Sequence, residues 1–189
     1  MPDSIYILCG GTSTRMGQDK AQLSMDNQTM LNRLVERCRK YFDSCILLSG
    51  RSNYNLQLKQ IPDYLPGAGP LSAMVSAMKH HTGSCFVILP VDMPLIENAT
   101  LRFLSRVQLP NQCDALIGSA QNRNHPLAGI YSTRQYQNLK DYLDEGGRSV
   151  RGFLERLSVR TYRLTERESL NANTPEEYHK AVGLMNSSK

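Results

Sequence analysis

Residues 8–20 read Leu-Cys-Gly-Gly-Thr-Ser-Thr-Arg-Met-Gly-Gln-Asp-Lys and begin where the apolar run Ile5–Leu8 ends. A run this short, with β-branched residues, is typical of a buried strand. The three glycines that follow allow a tight turn in which successive backbone N–H groups point at an anion. Arg15 and Lys20 add two positive charges to the same loop. The stretch therefore predicts a phosphate-binding loop at the end of a strand.

The spacing of the glycines separates this loop from two better known phosphate-binding loops. A P-loop has four residues between its glycines and ends in Gly-Lys-Ser/Thr, whereas Gly11 and Gly17 enclose five residues and Gln18 follows. The dinucleotide fingerprint Gly-x-Gly-x-x-Gly does not fit either, because Gly10 and Gly11 are adjacent. An ordinary glycine-rich turn is the simpler alternative, but the close succession of Arg, Gly, Asp and Lys favours phosphate binding.

A second functional signal follows the apolar run Cys85–Leu89, which predicts a strand covered on both faces. The run ends in Pro-Val-Asp-Met-Pro, so Asp92 stands at the carboxyl end of a central strand, where ligands bind in open α/β sheets. Its carboxylate suits Mg²⁺, which proteins hold through one or two carboxylates and substrate phosphates. The alternative is a helix cap, but Asn98 stands closer to the apolar helical stripe that begins at Leu101.

Residues 67–73 read Gly-Ala-Gly-Pro-Leu-Ser-Ala and predict the start of a helix. Pro70 suits the first helical position, and the N-terminus of this helix would open onto Gly67 and Gly69. Such an end can hold a negatively charged group. A helix start with a flexible lead-in explains the same residues without any ligand.

Strands alternate with helices along the chain, which predicts an α/β protein with a three-layer fold. A polar connection is predicted over 51–60. Two further strands are predicted at 114–118 and 127–131, joined by a polar loop over 119–126. Because no helix separates these strands, the sheet should be mixed and mostly parallel. His125 falls in that loop, before a proline, and is assigned no chemical role.

Length and composition limit the class of protein. The 189 residues are enough for a sizeable core, and the length favours a single domain over 1–189. Five cysteines, an odd number without a Cys-x-x-Cys pair, indicate small buried side chains rather than disulfides or a zinc site. The formal net charge of +5 suits a polyanionic substrate, but it forms no basic stripe with interleaved aromatics, so nucleic acid is not an expected partner. No membrane association is expected, and the predicted location is the cytoplasm.

The loop after the first strand, Gly-Gly-x-x-x-Arg-Met-Gly-x-Asp-Lys, resembles the signature loop of nucleotidyltransferases with a Rossmann-like, glycosyltransferase-A-like fold. Its sequence is most similar to that of the molybdenum cofactor guanylyltransferase family. Three later segments resemble the same family. They are Gly-Pro-Leu-Ser-Ala at 69–73, Pro-x-Asp-x-Pro at 90–94 and Asn-x-Asn-Thr-Pro-Glu-Glu at 171–177.

The resemblance implies a reaction in which GMP is transferred from GTP to the phosphate of Mo-molybdopterin with release of pyrophosphate. The implied cofactor is Mg²⁺, and transient contacts with the proteins that deliver and accept the molybdenum cofactor are expected. An acceptor phosphate is already anionic, so the protein needs only to position it, neutralise charge and stabilise the leaving pyrophosphate. The absence of a recognisable triad-like motif in the sequence agrees with such chemistry.

The resemblance also implies the residues of the site. The implied nucleotide contacts are Leu8, Cys9, Gly10, Gly11, Lys20, Asp63 and Asp92. The implied catalytic residues are Arg15, Lys20 and Asp92, with Asp92 as the magnesium ligand. Contacts with the second substrate or the metal are implied for Gly69, Asn171 and Asn173. Arg148 and Arg151 either meet a phosphate of the second substrate or form a solvated face.

The segment 171–177 also has a structural interpretation. Thr174 and Glu177 stand at the spacing of a capping box, and Pro175 suits the first helical turn, so a helix is predicted to begin there. The cap explains neither Asn171 nor Asn173, which remain candidates for active-site contacts.

Two departures from the family pattern leave alternatives open. Leu48-Ser49-Gly50 stands where family members commonly have asparagines that touch the nucleotide, so guanine selection is not settled by the sequence. Ala73 replaces a glycine. The first alternative is another nucleotidyltransferase, which transfers CMP to molybdopterin or a nucleotide to a sugar phosphate. The second is a non-catalytic nucleotide-binding module.

Overall fold

The computed structural model of the protein describes residues 2–9, 19–49, 54 and 56–187. Within these residues the strands are β1 (Ser4–Leu8), β2 (Ser24–Met25), β3 (Gln28–Thr29), β4 (Ser44–Leu48), β5 (Lys59–Ile61), β6 (Cys85–Pro90), β7 (Ala115–Ala120), β8 (Arg123–Ser132) and β9 (Val159–Arg163). The α-helices are α1 (Met30–Cys38), α2 (Pro70–His80), α3 (Asn98–Arg106), α4 (Tyr136–Asp144), α5 (Val150–Leu154) and α6 (Pro175–Asn186). Two short 3₁₀ turns span Lys20–Gln22 and Thr133–Gln135.

A seven-stranded sheet has the order β5-β4-β1-β6-β8-β7-β9. Strand β1 pairs in parallel with both β4 and β6. Strand β8 is antiparallel to both of its neighbours, β6 and β7, while the edge strand β9 is parallel to β7. This arrangement confirms the predicted mixed, mostly parallel sheet.

Helices cover both faces of the sheet because the central strands are apolar on both sides. In β1, Ile5 and Ile7 pack into the core shared with α1, α3 and α6, whereas Tyr6 packs into the core shared with α2, α4 and α5. All three side chains are fully buried. Burial of a large apolar side chain stabilises a fold by about 1.5–3 kcal/mol. The predicted three-layer α/β fold is confirmed.

The predicted polar loop over 119–126 is wrong, because these residues form the end of a long hairpin. Strands β7 and β8 continue through this region and are joined by a two-residue turn at Gln121 and Asn122, whose φ angles are 48° and 59°. Two consecutive residues at positive φ are typical of a type I′ turn, which matches the twist of the strands. The polar side chains suggested a loop because this end of the hairpin is largely exposed. His125 is therefore a strand residue.

A bulge interrupts the pairing of β7 with β8 between Ile117 and Gly118. Ile117 pairs with Gly129, but Gly118 pairs with His125, so residues 126–128 lie between the two pairs. Bulges redirect side chains and are frequent next to active sites. The bulge brings Pro126, Leu127 and Ala128 into the lining of the cavity described below.

Two smaller predictions are also corrected. The connection predicted over 51–60 is too long, because Lys59 and Gln60 belong to β5, a short edge strand that pairs with β4. Polar residues are acceptable at the edge of a sheet. A search for apolar runs therefore does not detect such a strand. Asn98 does not cap α3; it is the first helical residue, and its Oδ1 accepts hydrogen bonds from Arg37.

The five cysteines are buried and free, as predicted. Within the described part of the chain, the helices are too short or too polar for any of them to cross a membrane.

Candidate active site

The carboxyl ends of β1 and β6 lie side by side and border a cavity. Leu8 at the end of β1 pairs with Pro90 at the end of β6, and the N–H of Val91 donates to the carbonyl of Leu8 at 3.0 Å. The cavity has a volume of about 320 Å³, and Leu8, Lys20 and Asp92 are among the residues that line it. The sheet edge that the sequence predicts as a binding region thus has room for a ligand.

Lys20 and Asp92 form an ion pair in this cavity. The Nζ atom of Lys20 lies 3.5 Å from Oδ2 of Asp92, and the two side chains are 19% and 20% exposed. The structure thus brings together two predicted site residues that come from different loops. Because both groups remain partly accessible, an anionic ligand in the cavity can compete with the carboxylate for Lys20.

Asp19 fixes the 3₁₀ turn that presents Lys20. Its Oδ1 accepts a hydrogen bond from the N–H of Ala21 at 3.0 Å, which caps the turn. Its Oδ2 accepts from the hydroxyl of Tyr54 at 2.8 Å. Tyr54 lies far away in sequence, so the residues around Asp19 gave no signal for this contact.

Asn173 makes a second contact with Lys20. The Nζ of Lys20 donates to Oδ1 of Asn173, which precedes α6. The predicted capping box is present: the side chain of Thr174 accepts from the N–H of Glu177, and the Glu177 carboxylate accepts from Thr174 at 3.0 Å. The same carboxylate accepts from the N–H of Asn173 at 2.9 Å. The start of α6 therefore fixes the backbone that carries this amide.

Asn171 presents an oxygen that no protein group satisfies. The N–H of Ala172 donates to the carbonyl of Asp92 at 2.8 Å, which joins this segment to the loop after β6. Asn171 lines the same cavity as Asp92, and among the described residues its buried Oδ1 has no hydrogen-bond partner. A buried polar atom without a partner costs free energy, which a ligand at this point would recover.

Burial raises the pKa of the Asp92 carboxyl, and the charge and hydrogen bond of Lys20 partly oppose that rise. An ionised Asp92 would therefore gain from a further cation. The Asp92 carboxylate and the Asn171 amide oxygen are hard oxygen ligands of the kind that Mg²⁺ prefers. Within the described residues no group of three or more His, Cys, Asp and Glu side chains is arranged to hold a metal. A cation bound here would complete its shell with substrate phosphates and water, as Mg²⁺ does.

The remaining predicted site residues do not all lie at the cavity within the described part of the chain. Three lie outside the described residues, namely Gly10, Gly11 and Arg15. Cys9 is buried, and its N–H donates to the carbonyl of Leu48 at 2.8 Å. Asp63 follows the edge strand β5, and burial raises the pKa of its carboxyl; it is not among the described residues that line the cavity. Gly69 has a φ of 74° and precedes Pro70, which does line it.

The family model of the MobA-like NTP transferase domain matches residues 5–161, a span that contains both partners of the Lys20–Asp92 pair. The chain belongs to the MobA-like NTP transferase domain family. It is therefore a nucleotidyltransferase, and the family predicted from the loop motif is confirmed.

Individual relatives agree with this membership. A probable molybdenum cofactor guanylyltransferase from Methanothermobacter thermautotrophicus is 27% identical over 190 residues, which cover 93% of this chain and 96% of that protein. Another from Synechococcus elongatus is 30% identical over 182 residues, with coverages of 91% and 94%. The solved structure of molybdopterin-guanine dinucleotide biosynthesis protein A from Archaeoglobus fulgidus has a TM-score of 0.81 at 22% identity, covering 97% of this chain and 99% of that one. The last comparison shows that the two chains share a fold.

Arg148 and Arg151 do not line the cavity of this MobA-like domain. Arg148 donates through Nη1 to the carbonyls of Leu143 and Gly147 at 2.7 and 2.8 Å. Both side chains are exposed, and Nε of Arg151 lies 4.0 Å from Glu155 on the same helix. Arg148 thus satisfies carbonyls at the end of α4, and the contact of either arginine with a second substrate stays a prediction.

Glu168 is a buried residue of this MobA-like domain that the family motifs did not indicate. It is 2% exposed and accepts hydrogen bonds from the N–H of Glu97 at 3.0 Å, the N–H of Thr165 at 2.9 Å and the hydroxyl of Thr100. It thereby joins the start of α3 to the segment that leads to Asn171. The spacing Thr-x-x-Glu at 165–168 was the available signal, since the two residues cap each other reciprocally.

Proposed function

We propose that this protein is a molybdenum cofactor guanylyltransferase, which transfers GMP from GTP to the phosphate of Mo-molybdopterin and releases pyrophosphate. The observation that carries the proposal is the contact of Lys20 with Asp92 in a cavity at the carboxyl ends of β1 and β6. The names of the relatives support the choice of substrates. Transient contacts with proteins that deliver and accept the cofactor belong to the same proposal.

In this proposal Mg²⁺ is held by the carboxylate of Asp92, with the amide oxygen of Asn171 as a second protein ligand. The unpartnered Oδ1 of Asn171 beside the cavity supports this assignment, because a metal would satisfy it. When bound, the ion would neutralise charge on the α-phosphate and the attacking oxygen.

The chain's own residues bind and orient the nucleotide. Lys20 pairs with a phosphate, and its hydrogen bond to Asn173 fixes the position of the ammonium group. Arg15 adds a second positive charge from the glycine-rich loop. Further nucleotide contacts are assigned to Leu8, Cys9, Gly10, Gly11 and Asp63, and Gly69 is assigned to the second substrate.

The bond changes need no general base from the protein. An oxygen of the acceptor phosphate attacks the α-phosphorus of GTP, and the bond from that phosphorus to the bridging oxygen of the β-phosphate breaks. A phosphate monoester has its second pKa near 6, so its attacking oxygen is largely ionised at neutral pH and needs no general base. Positioning and charge neutralisation are sufficient, and the pair formed by Lys20 and Asp92 is suited to both.

A substrate screen tests the proposal. Pyrophosphate release is measured with Mo-molybdopterin, Mg²⁺ and each of GTP, CTP, ATP and UTP, and thermal stabilisation by each nucleotide is recorded in parallel. We expect release and stabilisation to be greatest with GTP. Release with CTP alone, or with a sugar phosphate but not with molybdopterin, would contradict the guanylyltransferase assignment while leaving the family intact.

A further inference from the structure

His125 is the buried polar side chain that the proposed reaction leaves unexplained. It is 8% exposed and lines the cavity that contains Asp92. Among the described residues, its ring makes no hydrogen bond. Its ring nitrogens are not among the fully enclosed polar atoms that lack a partner, so they keep access to solvent and a ligand in the cavity can reach them.

The hairpin fixes the position of His125. Its backbone pairs with Gly118 immediately beside the bulge, so the residue lies on a strand rather than on a mobile loop. Burial lowers the pKa of the imidazole, the nearby charge of Arg123 lowers it further, and Asp92 opposes both effects. Either protonation state retains a ring N–H that can donate to an anionic oxygen.

A second cleft also borders His125, and we call it the side cleft. It has a volume of about 570 Å³ and shares Arg123, His125 and Asn171 with the cavity. Arg167 and Lys180 also line it, and the Nε of Arg167 is buried without a hydrogen-bond partner among the described residues. His125 therefore borders both the cavity with the Lys20–Asp92 pair and a cleft lined by three cationic side chains and two carboxylates, those of Glu166 and Glu177.

This geometry fits a substrate whose phosphate oxygen is the attacking group and whose remaining part is a larger organic group. The phosphate must approach Asp92, where the nucleotide is bound, while the organic group needs room away from the nucleotide. The side cleft provides that room, and its lining of cationic, acidic and amide side chains suits a polar organic group. Arg123, His125 and Asn171 border both spaces. Asn171 is assigned to the metal, whereas His125 has no role in the proposed reaction and is fixed on a strand beside the bulge.

We propose that His125 donates a hydrogen bond to the phosphate of the nucleotidyl acceptor, an organic phosphate monoester whose remaining part occupies the side cleft. This inference rests on the proposed function for the presence of an acceptor phosphate, but it assigns a residue and a cleft that the motifs did not indicate. His125 is a contact residue for the second substrate, whereas Lys20 serves the nucleotide.

The kinetic test compares the full chain with His125→Ala, His125→Gln and the control His80→Gln, which lies at the far end of α2 and is exposed. The KM for Mo-molybdopterin is measured by pyrophosphate release, and the Kd for GTP with Mg²⁺ by calorimetry. We expect His125→Ala to raise the KM for the acceptor at least about tenfold, equal to 1.4 kcal/mol, with the Kd for GTP within twofold. His125→Gln, whose amide can donate, should lose less, and His80→Gln should match the wild type.

An acceptor KM unchanged in His125→Ala, or a parallel loss of GTP affinity, would overturn the inference. A second measurement does not depend on the identity of the acceptor: the ring nitrogens of ¹⁵N-labelled histidines are followed by NMR while inorganic phosphate is added to the complex with Mg²⁺ and a non-transferable GTP analogue. We expect a saturable shift for His125 and none for His80. If the wild type does not turn over with molybdopterin, the proposed function fails and this titration decides the inference, because an unmoved His125 signal would refute the contact.

Discussion

The Nζ of Lys20 lies 3.5 Å from Oδ2 of Asp92, so the loops that follow β1 and β6 meet in one cavity. Parallel pairing of β1 with β6 produces this contact, because it places both carboxyl ends at the same edge of the sheet. Asn173 adds a third element, the start of α6, to the same point. The point of contact therefore combines a cation, an anion and an amide oxygen, each fixed by a separate part of the fold.

Asp92→Asn should change how stability depends on pH. Burial raises the pKa of Asp92 in the folded protein above the unfolded value of about 3.9, so the folded state holds the proton more tightly. The unfolding free energy of the protein without nucleotide or metal should then fall as the pH rises from about 4 through the folded pKa. Urea unfolding at a series of pH values should show that Asp92→Asn lacks this decline, whereas Asp144→Asn, on the exposed end of α4, should retain it. The same decline in both variants would contradict the assignment to Asp92.

A double-mutant cycle should detect the pair itself. Lys20→Met should destabilise the protein more in the wild type than in the Asp92→Asn background, because only the wild type then has a partly buried carboxylate without its cation. Since both side chains are about one-fifth exposed, we expect a coupling energy of roughly 0.5–1 kcal/mol. Urea unfolding of the four proteins at pH 7 measures it. Additivity of the two substitutions within about 0.3 kcal/mol would show that the ion pair is absent in solution.

Thr174→Ala should weaken both the fold and nucleotide binding. Loss of the side-chain cap of α6 should cost about 1 kcal/mol in the free energy of unfolding. The capping box also holds the backbone of Asn173, so the KM for the nucleotide should rise a few-fold. Thr174→Ser keeps the hydroxyl and should behave like the wild type in both assays. A stability loss without any change in KM would separate the helix cap from the site.

Glu168→Gln should be among the more destabilising polar substitutions. An amide oxygen accepts more weakly than the carboxylate from Glu97, Thr100 and Thr165, and its NH₂ group would face donors. We expect a loss of about 1–3 kcal/mol in urea unfolding. Glu166→Gln, an exposed change in the same segment, is the control and should stay within about 0.5 kcal/mol. Equal stability of the two variants would contradict the role assigned to Glu168.

The sequence was sufficient to predict the two ends of the central ion pair. An apolar strand followed by a charged glycine-rich loop, and a second apolar strand followed by Asp92, placed both groups at the carboxyl edge of a sheet. The alternation of strands with helices also predicted the layers, and two successive strands without a helix between them predicted the mixed sheet. These features follow from local patterns, which a single sequence displays directly.

What could not be predicted depends on contacts between distant residues. The segment around His125 is polar because it ends an exposed hairpin, so it looked like a loop, and the bulge at Gly118 leaves no simple signature. Asp19 gains its second partner from Tyr54, and Glu168 gains two of its partners from the start of α3. Such contacts arise only when the chain is folded, because no local pattern of residue types encodes them.

The claim that Asp92 supports nucleotidyl transfer is tested most directly by following the GMP group through a labelled α-phosphate. GTP labelled in its α-phosphate is incubated with Mo-molybdopterin, Mg²⁺ and the wild type, Asp92→Asn or Asp144→Asn, and label in the pterin product is counted. We expect the wild type and Asp144→Asn to transfer label at the same rate and Asp92→Asn to fall by at least about 100-fold, since metal-assisted charge stabilisation is worth several kcal/mol and 1.36 kcal/mol is tenfold in rate. A folded Asp92→Asn protein that transfers label at the wild-type rate would contradict the role of Asp92 on which the site is built.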